Sequence, residues 1–292
     1  MSRPLVLDGG TATELQRAGI ALAPPLWSAS ALLAEEHRRV LRTVHARFLA
    51  AGADVLTANT FRCNARAARA AGLDRAGAAW LVHAALGVAL AARADVGSSA
   101  AIAGSLAPIE DCYRPDLVPP DDELRIEHEW LAAELVRAGL DLVLIETMNT
   151  RREARIALEA VLAAGGRAWV SFVCGPGARL LSGELLADAA REVERAGAEA
   201  TLVNCTAPAE TERCLYELRD ACGGPIGAYP NVEDRSVATP ASAVEPEELA
   251  ELLLRWSEEL GPAIVGGCCG TTPAHVAATS AALSRPRAGA GS

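Results

Sequence analysis

Short apolar runs alternate with amphipathic stretches about eight times along the chain, and this alternation limits the possible fold more than any other feature. Runs of this length are typical of strands buried on both faces, and the stretches between them have the period of half-buried helices. The predicted strands are Leu5–Leu7, Asp54–Ala58, Ala100–Ala103, Asp141–Ile145, Ala168–Val173, Ala200–Val203, Pro225–Ala228 and Ala263–Val265. The predicted helices that follow them are Glu35–Ala51, Ala76–Arg93, Asp121–Ala138, Arg151–Ala164, Leu185–Ala196, Ala209–Arg219, Glu245–Leu260 and Pro273–Leu283.

Eight evenly spaced strand–helix units predict an α/β fold of one domain, a (β/α)8 TIM barrel. A doubly wound open sheet is the alternative, but no dinucleotide-binding fingerprint follows the first strand. We expect the barrel to occupy residues 1–284 and residues 285–292 (RPRAGAGS) to form a disordered tail. The Pro-rich segment 107–120 is predicted to be a long loop that overhangs one end of the barrel.

The charged residues exclude several classes of protein. All 27 basic residues are Arg, because the sequence contains no Lys. Enzymes that form a Schiff base on their own lysine, and nucleotide-binding loops that need one, are therefore excluded. The net charge of -10 argues against a nucleic-acid-binding face.

We expect a cytoplasmic protein that does not enter a membrane. The N-terminal residues MSRPLVLDGG lack the apolar stretch of a secretory signal. The apolar segment Ala78–Ala92 is shorter than the roughly 20 residues of a membrane span, and we interpret it as a buried helix. In a reducing compartment the eight cysteines indicate metal or redox chemistry rather than disulfides.

Enzyme chemistry in such a barrel is found where the strands end and the following loops begin. Two of these strand ends bring three cysteines together, Cys205 after strand six and the pair Cys268–Cys269 after strand eight. Strands six and eight are next-nearest neighbours, so two strand spacings, about 10 Å, are expected between their ends. Two carboxylates, Asp8 and Glu146, are expected to face the cysteines from strands one and four.

Three thiolates with one open position suit a catalytic zinc ion, whereas structural zinc is held by four protein ligands. Adjacent side chains on a strand point in opposite directions, so Cys268 and Cys269 can bind one ion only if the backbone bends. We expect Gly266 and Gly267 to give that freedom. The alternative is that the cysteines are small buried hydrophobic residues, and their convergence with Cys205 favours the metal.

An ordered series of motifs resembles the zinc-dependent homocysteine S-methyltransferase family over nearly the whole chain. The matching segments are Leu7–Gly10, Thr13–Leu15, Leu26–Ser28, Ala58–Phe61, Glu146–Thr147, Val203–Cys205, Tyr229–Asn231 and Gly266–Pro273. The resemblance implies a homocysteine-binding (β/α)8 barrel in which Cys205, Cys268 and Cys269 hold Zn²⁺. It also implies that Asp8 and Glu146 hold the amino group of homocysteine. The expected substrate-binding residues are Asp8, Gly9, Glu146, Asn204 and Asn231.

The resemblance further implies a methyl transfer that gives methionine. A thiol coordinated to zinc is deprotonated, and its sulfur attacks the methyl carbon of an onium donor, so no protein side chain acts as nucleophile or general base. S-methylmethionine is the favoured donor, because the chain lacks a cobalamin or folate domain and the C-terminal extension of betaine-dependent relatives. Betaine and S-adenosylmethionine are the alternatives. We expect only small-molecule partners and a monomer or small homo-oligomer.

Smaller expectations concern the neighbours of the metal. Asn231 is the best protein candidate for a fourth ligand in the absence of substrate, while Cys63 and Cys174 are expected to be passive thiols. His275 is expected to be a surface or capping residue. Two other functions stay open: a barrel enzyme that binds a phosphate at Gly266–Gly270, and a non-catalytic zinc-binding barrel protein. The cysteines inside that loop oppose the first, and the two carboxylates oppose the second.

Overall fold

Eight parallel strands form a barrel in the computed structural model, which describes residues 3–234 and 241–285. Neighbouring strands follow the order β1-β8-β7-β6-β5-β4-β3-β2, so each strand of this sheet lies beside its neighbour in the chain. The strands are β1 (Leu5–Val6), β2 (Val55–Ala58), β3 (Ala101–Leu106), β4 (Leu142–Met148), β5 (Ala168–Phe172), β6 (Ala200–Asn204), β7 (Ile226–Tyr229) and β8 (Ile264–Val265).

The barrel closes between β1 and β2. Leu7 forms a parallel bridge with Val55, and the N–H of Asp8 donates to the carbonyl of Val55 at 3.1 Å. The N–H of Asp54 donates to the carbonyl of Val6 at 2.8 Å. These bonds join the two ends of the strand order, which confirms the TIM barrel and excludes the open, doubly wound sheet.

A helix follows every barrel strand, and the predicted helices are all present with bounds that shift by only a few residues. The helices are α1 (Thr11–Arg17), α2 (Glu35–Ala50), α3 (Ala65–Ala70), α4 (Arg75–Asp95), α5 (Asp121–Arg137), α6 (Arg151–Ala163), α7 (Leu186–Ala196), α8 (Pro208–Ala221), α9 (Pro246–Glu259) and α10 (Pro273–Ser284). The short helices α1 and α3 were not predicted.

Helix α4 is longer than the sequence suggested. Its 21 residues are long and apolar enough to cross a membrane by length and composition alone, so the expectation that this segment is too short was wrong. The helix nevertheless packs against α2, β2 and β3, with Leu81, Val82 and Ala85 fully buried. It is therefore one of the helices that cover the barrel.

Successive residues of a strand point to opposite faces of the sheet, and so the strands contribute to two separate hydrophobic layers. One layer packs inside the barrel and includes Leu144, Trp169 and Leu202, with Tyr229 at the end that carries the site. The other lies between the strands and the helices and includes Val143, Val170 and Val203. Burial on both faces explains why these strands are continuous apolar runs. Of the tail expected at 285–292, all but Arg285 lies outside the described residues.

Candidate active site

Three cysteine sulfurs meet at the carboxyl end of the barrel. The Sγ atoms of Cys205, Cys268 and Cys269 all lie within 4.8 Å of one another. Those of Cys205 and Cys268 are joined as a disulfide with the two Cα atoms 5.7 Å apart, so the expectation that the cysteines form no disulfide is wrong for this pair. This separation is about half of the 10 Å expected from two strand spacings, because neither residue lies within a strand. Cys205 follows the end of β6, and Cys268 lies three residues beyond β8.

The backbone around the cysteines explains how they converge. Cys205 has φ of 49°, a left-handed conformation that turns the chain directly after β6. Gly267 lies where a Cβ atom would be 2.1 Å from Cγ2 of Thr271. Gly266 and Gly267 have no positive φ, so they serve close packing rather than the backbone freedom that we expected. Gly270 provides the left-handed turn instead, with φ of 86° directly after Cys269.

Asp8 lies two residues after the end of β1, and its buried carboxylate contacts β2. The backbone N–H and the hydroxyl of Thr57 both donate to it, each at 3.0 Å. Burial, together with the nearby charge of Glu146, raises its pKa to about 7, although the bonds from Thr57 act in the opposite direction. Asp8 therefore binds a neighbouring strand and does not cap the Gly9–Gly10 turn.

Glu146 lies in a bulge of β4, where the pairing with β5 shifts between Ile145 and Met148. The hydroxyls of Ser105 and Tyr229 donate to its two oxygens, the second at 3.3 Å. Burial raises its pKa to about 6 in spite of these two bonds. Because neither Asp8 nor Glu146 forms an ion pair within the described residues, both carboxylates can receive a cation from a substrate.

Asn204 and Thr147 form a buried pair beside Glu146. The Asn204 side chain is fully buried, accepts a hydrogen bond from the Thr147 N–H at 3.0 Å and donates one to the Thr147 hydroxyl at 2.9 Å. Thr147 has φ of 60°, the second left-handed non-glycine residue at this end of the barrel. A direct contact between Asn204 and substrate stays a prediction.

Asn231 and Gly9 also stay predictions as substrate-binding residues. Asn231 is half-buried, and its Oδ1 accepts a bond from the Glu233 N–H at 2.9 Å. A Cβ atom on Gly9 would lie 2.6 Å from Phe48 and 2.8 Å from Oγ1 of Thr271, so this glycine allows the first loop to pack closely.

Cys63, Cys174 and His275 are not members of the group of three sulfurs. Burial raises the pKa of the Cys63 thiol, while the neighbouring thiol of Cys214 and burial raise that of Cys174. His275 is buried and caps α10, where its Nδ1 accepts a bond from the Thr272 N–H at 3.1 Å. The capping role is confirmed and a surface position is wrong.

Sequence reasoning missed the hydroxyl groups that hold the two carboxylates. Thr57 bonds Asp8 and Ser105 bonds Glu146, and each is a single polar residue inside an apolar strand, an interruption that could have revealed it. Tyr229 begins the matching segment Tyr229–Asn231, and its hydroxyl bonds Glu146.

The three thiols fit a divalent metal such as zinc. Zinc–sulfur bonds of about 2.3 Å in a tetrahedron place sulfurs about 3.8 Å apart, so Cys205 and Cys268 would hold the ion only in the reduced form, with their sulfurs separated. Within residues 3–234 and 241–285, no other group of three or more Cys, His, Asp or Glu side chains converges in this way. The chain can therefore offer one such ion three soft ligands.

Comparison with known proteins agrees with this geometry. The family model for homocysteine S-methyltransferase matches residues 5–283. The homocysteine S-methyltransferase YbgG of Bacillus subtilis is 30% identical over 93% of this chain and 92% of its own length. A selenocysteine Se-methyltransferase of Brassica oleracea var. italica is 27% identical over 94% of this chain and 87% of its own length.

A solved structure shows the same likeness in three dimensions. The metallated form of the homocysteine methyltransferase MmuM from Escherichia coli superposes with a TM-score of 0.84 at 29% identity, and 96% of each chain is covered. The likeness therefore covers nearly the whole chain. On these observations the chain belongs to the homocysteine S-methyltransferase family and is a methyltransferase of class EC 2.1.1.

Proposed function

We propose that the chain is a zinc-dependent enzyme that moves a methyl group from an onium donor to the thiol of homocysteine and forms methionine. The observation that carries this proposal is the convergence of three cysteine sulfurs with two buried carboxylates at one end of the barrel. A metal recognises the sulfur of the acceptor and a carboxylate recognises its ammonium group. Both chemistries are needed for a thiol-bearing amino acid.

Cys205, Cys268 and Cys269 would hold the zinc ion and leave a position for a ligand that is not part of the protein. When bound, zinc lowers the pKa of a coordinated thiol so that it is deprotonated at neutral pH. Glu146 and Asp8 accept hydrogen bonds from the ammonium group and fix its distance from the sulfurs. Ser105 and Tyr229 hold the Glu146 carboxylate in place through their hydroxyls.

The charge of the site favours a sulfonium donor. With Zn²⁺ bound, the three thiolates would leave a net charge of about -1, and the ionised forms of the two carboxylates would add to it; a negative cleft attracts cations. S-methylmethionine carries a net charge of +1, whereas betaine is neutral overall. S-adenosylmethionine has the same charge as S-methylmethionine but is much larger. S-methylmethionine is therefore the donor that we place first, and the enzyme is proposed to work in the reducing cytoplasm on small molecules alone.

The test is an assay of the purified protein, kept reduced, with homocysteine and each of the three donors in turn. Methionine is measured by mass spectrometry with an isotopically labelled methyl group, and zinc is measured by elemental analysis. We expect about one zinc per chain and the fastest transfer from S-methylmethionine. A second acceptor series with selenocysteine compares the chain with its Brassica relative.

The cysteine assignment is tested by Cys268→Ala. This variant is expected to lose most of its zinc and all detectable methyl transfer, because two thiols bind zinc far more weakly than three. Cys222→Ala is the matched control, since Cys222 is half-buried and lies outside the group of three sulfurs. Full zinc occupancy and activity in the Cys268→Ala protein would show that the assignment is wrong. Zinc binding without transfer from any donor would favour the non-catalytic alternative.

A further inference from the structure

Asn204 connects the two halves of the site. It is the last residue of β6 and directly precedes Cys205, while its side chain reaches across to the end of β4. There it accepts a hydrogen bond from the backbone N–H of Thr147 and donates one to the Thr147 hydroxyl. Thr147 is the residue directly after Glu146. One fully buried amide thus lies between a proposed metal ligand and a proposed substrate carboxylate.

The two backbone turns that Asn204 joins are both strained. Cys205 and Thr147 have φ of 49° and 60°, which cost a non-glycine residue about 1 to 3 kcal/mol each unless the surroundings hold them. Thr147 is β-branched, for which this conformation is especially rare. The Asn204 amide binds the N–H and the hydroxyl of Thr147 together and so fixes this conformation.

The Asn204 amide is also held by a hydroxyl group. Ser171 on β5 donates to Oδ1 of Asn204 at 2.8 Å. The Ser171 oxygen also lies near the Tyr229 hydroxyl, but Tyr229 gives its one proton to the Glu146 carboxylate at 3.3 Å, so the two hydroxyls are neighbours without a hydrogen bond between them. Asn204 is therefore linked to Glu146 by hydrogen bonds through Thr147, while Ser171 holds the Asn204 amide beside Tyr229.

We propose that Asn204 is a positioning residue that sets the distance between the sulfur of Cys205 and the carboxylate of Glu146, without itself touching the substrate. This inference rests on the proposed function, which gives those two groups their roles. It assigns Asn204 a task different from the substrate contact expected from the sequence. Loss of its amide should disturb metal binding and acceptor binding together.

Two substitutions separate positioning from simple stability. Asn204→Leu keeps the volume of the side chain and removes every one of its hydrogen bonds. Asn204→Asp keeps the acceptor for the Thr147 N–H and the Ser171 hydroxyl, and the Thr147 hydroxyl can turn to donate to it. The control is Leu215→Ala on α8, a fully buried residue outside the site whose loss leaves a cavity and destabilises the fold without removing a hydrogen bond of the site.

Zinc affinity is measured by competition with a chelator, and homocysteine KM and kcat are measured separately. For Asn204→Leu we expect zinc affinity to fall at least tenfold and KM to rise at least tenfold. Leu215→Ala should leave both within twofold of the wild type. Asn204→Asp should recover zinc affinity and, at pH 8, KM to within about threefold.

Equal behaviour of Asn204→Leu and Leu215→Ala would overturn the proposal, as would an Asp variant that recovers neither quantity. If Asn204→Leu does not fold, Ser171→Ala is the milder test, with KM raised two- to fivefold at unchanged zinc affinity; an unchanged KM would count against the proposal. Failure of the proposed function is distinct, because the wild type itself would then bind no zinc or transfer no methyl group.

Discussion

Among single residues, Asp8 and Glu146 are the most informative. Both are buried, both have a raised pKa, and their hydrogen bonds come from hydroxyl and backbone groups instead of a cationic side chain. A buried carboxylate without a cation is costly, which is why its pKa rises. Neither carboxylate has a cationic partner in the described part of the protein, and the ammonium group of an amino acid such as homocysteine carries the positive charge that would pair with them.

Glu146→Gln tests this assignment. The amide keeps the shape, and its one oxygen accepts a bond from one of the two hydroxyls while its NH2 group donates to the other, but the ion pair with an ammonium group is lost. Charge-assisted hydrogen bonds contribute about 1.5 to 3 kcal/mol, so we expect homocysteine KM to rise at least tenfold while zinc content is unchanged. The control acceptor is a thiol of the same length without an amino group, whose KM should barely change. If KM rises equally for the two acceptors, Glu146 supports the fold or contacts the donor and does not bind the ammonium group of homocysteine.

The pH dependence of acceptor binding follows from the same two groups. An ammonium group binds the ionised carboxylates, so homocysteine KM should rise as the pH falls through 7 and then 6, where Asp8 and Glu146 take up protons. The stability of the protein without substrate depends on pH in the opposite direction. The folded carboxyls hold protons that the unfolded chain releases at lower pH, so their contribution makes stability fall as the pH rises from about 4 to 7. A KM profile flat between pH 5.5 and 8 would contradict this prediction.

At the scale of elements, the segment 107–120 after β3 is held by side chains from three other parts of the barrel. Arg62 donates to the carbonyl of Glu110 at 2.7 Å, and Asn149 donates to that of Cys112 at 3.0 Å. Glu153 on α6 accepts a bond from the Ile109 N–H at 2.8 Å. The long loop expected from its prolines is therefore fixed to the barrel and contains a short turn of 3₁₀ helix at Pro115–Leu117.

Glu153→Ala should loosen this segment. Glu153 is fully buried and pairs with the equally buried His128 at 3.1 Å, so its removal leaves a histidine and a backbone N–H without a partner. Breaking such a pair costs about 3 to 5 kcal/mol of stability, which corresponds to a fall in Tm of roughly 5 to 15 °C. Glu159→Ala on the same helix is the control, because its pairs with Arg125 and Arg155 are exposed and should cost less than about 1 kcal/mol. Calorimetry measures both, and equal shifts would contradict the interpretation.

How much of the site could be predicted differs between its parts. The eight strands and the strand ends that carry Asp8, Glu146 and the cysteines follow from hydrophobic periodicity, because every strand is buried on both faces. The left-handed turn at Cys205 could not be predicted, since no glycine marks it. Helix α1 was not predicted because seven residues are too few to show a clear helical period. Its buried Glu14 forms ion pairs with Arg17 and Arg47.

Over the whole molecule, the first and last strand units meet at Thr271. Its hydroxyl accepts a bond from the Gly10 N–H at 3.0 Å, across 261 positions of the chain, and donates to the carbonyl of Cys268 at 2.6 Å. This contact between the first and last strand units thus also holds Cys268, one of the three cysteines of the candidate site.

Thr271→Val removes this hydroxyl at nearly constant volume. We expect the free energy of unfolding to fall by about 1 to 3 kcal/mol, because the Cys268 carbonyl and the Gly10 N–H each lose a partner. Zinc affinity should fall severalfold in the same variant. Thr279→Val, at a buried threonine of α10, is the matched control and should leave zinc affinity unchanged. Urea denaturation and chelator competition measure the two effects, and an unchanged affinity in Thr271→Val would refute the link.

The order in which the site's parts occur along the chain determines when it can be completed during protein synthesis. The ribosome makes Asp8 and Glu146 early, Cys205 after two thirds of the chain, and Cys268 and Cys269 only when the last barrel strand has been made. A nascent chain that stops before β8 has both carboxylates but one of the three sulfurs. If the three cysteines hold zinc as proposed, the ion would bind only after the last barrel strand has been made, so a chain still in synthesis would contain none.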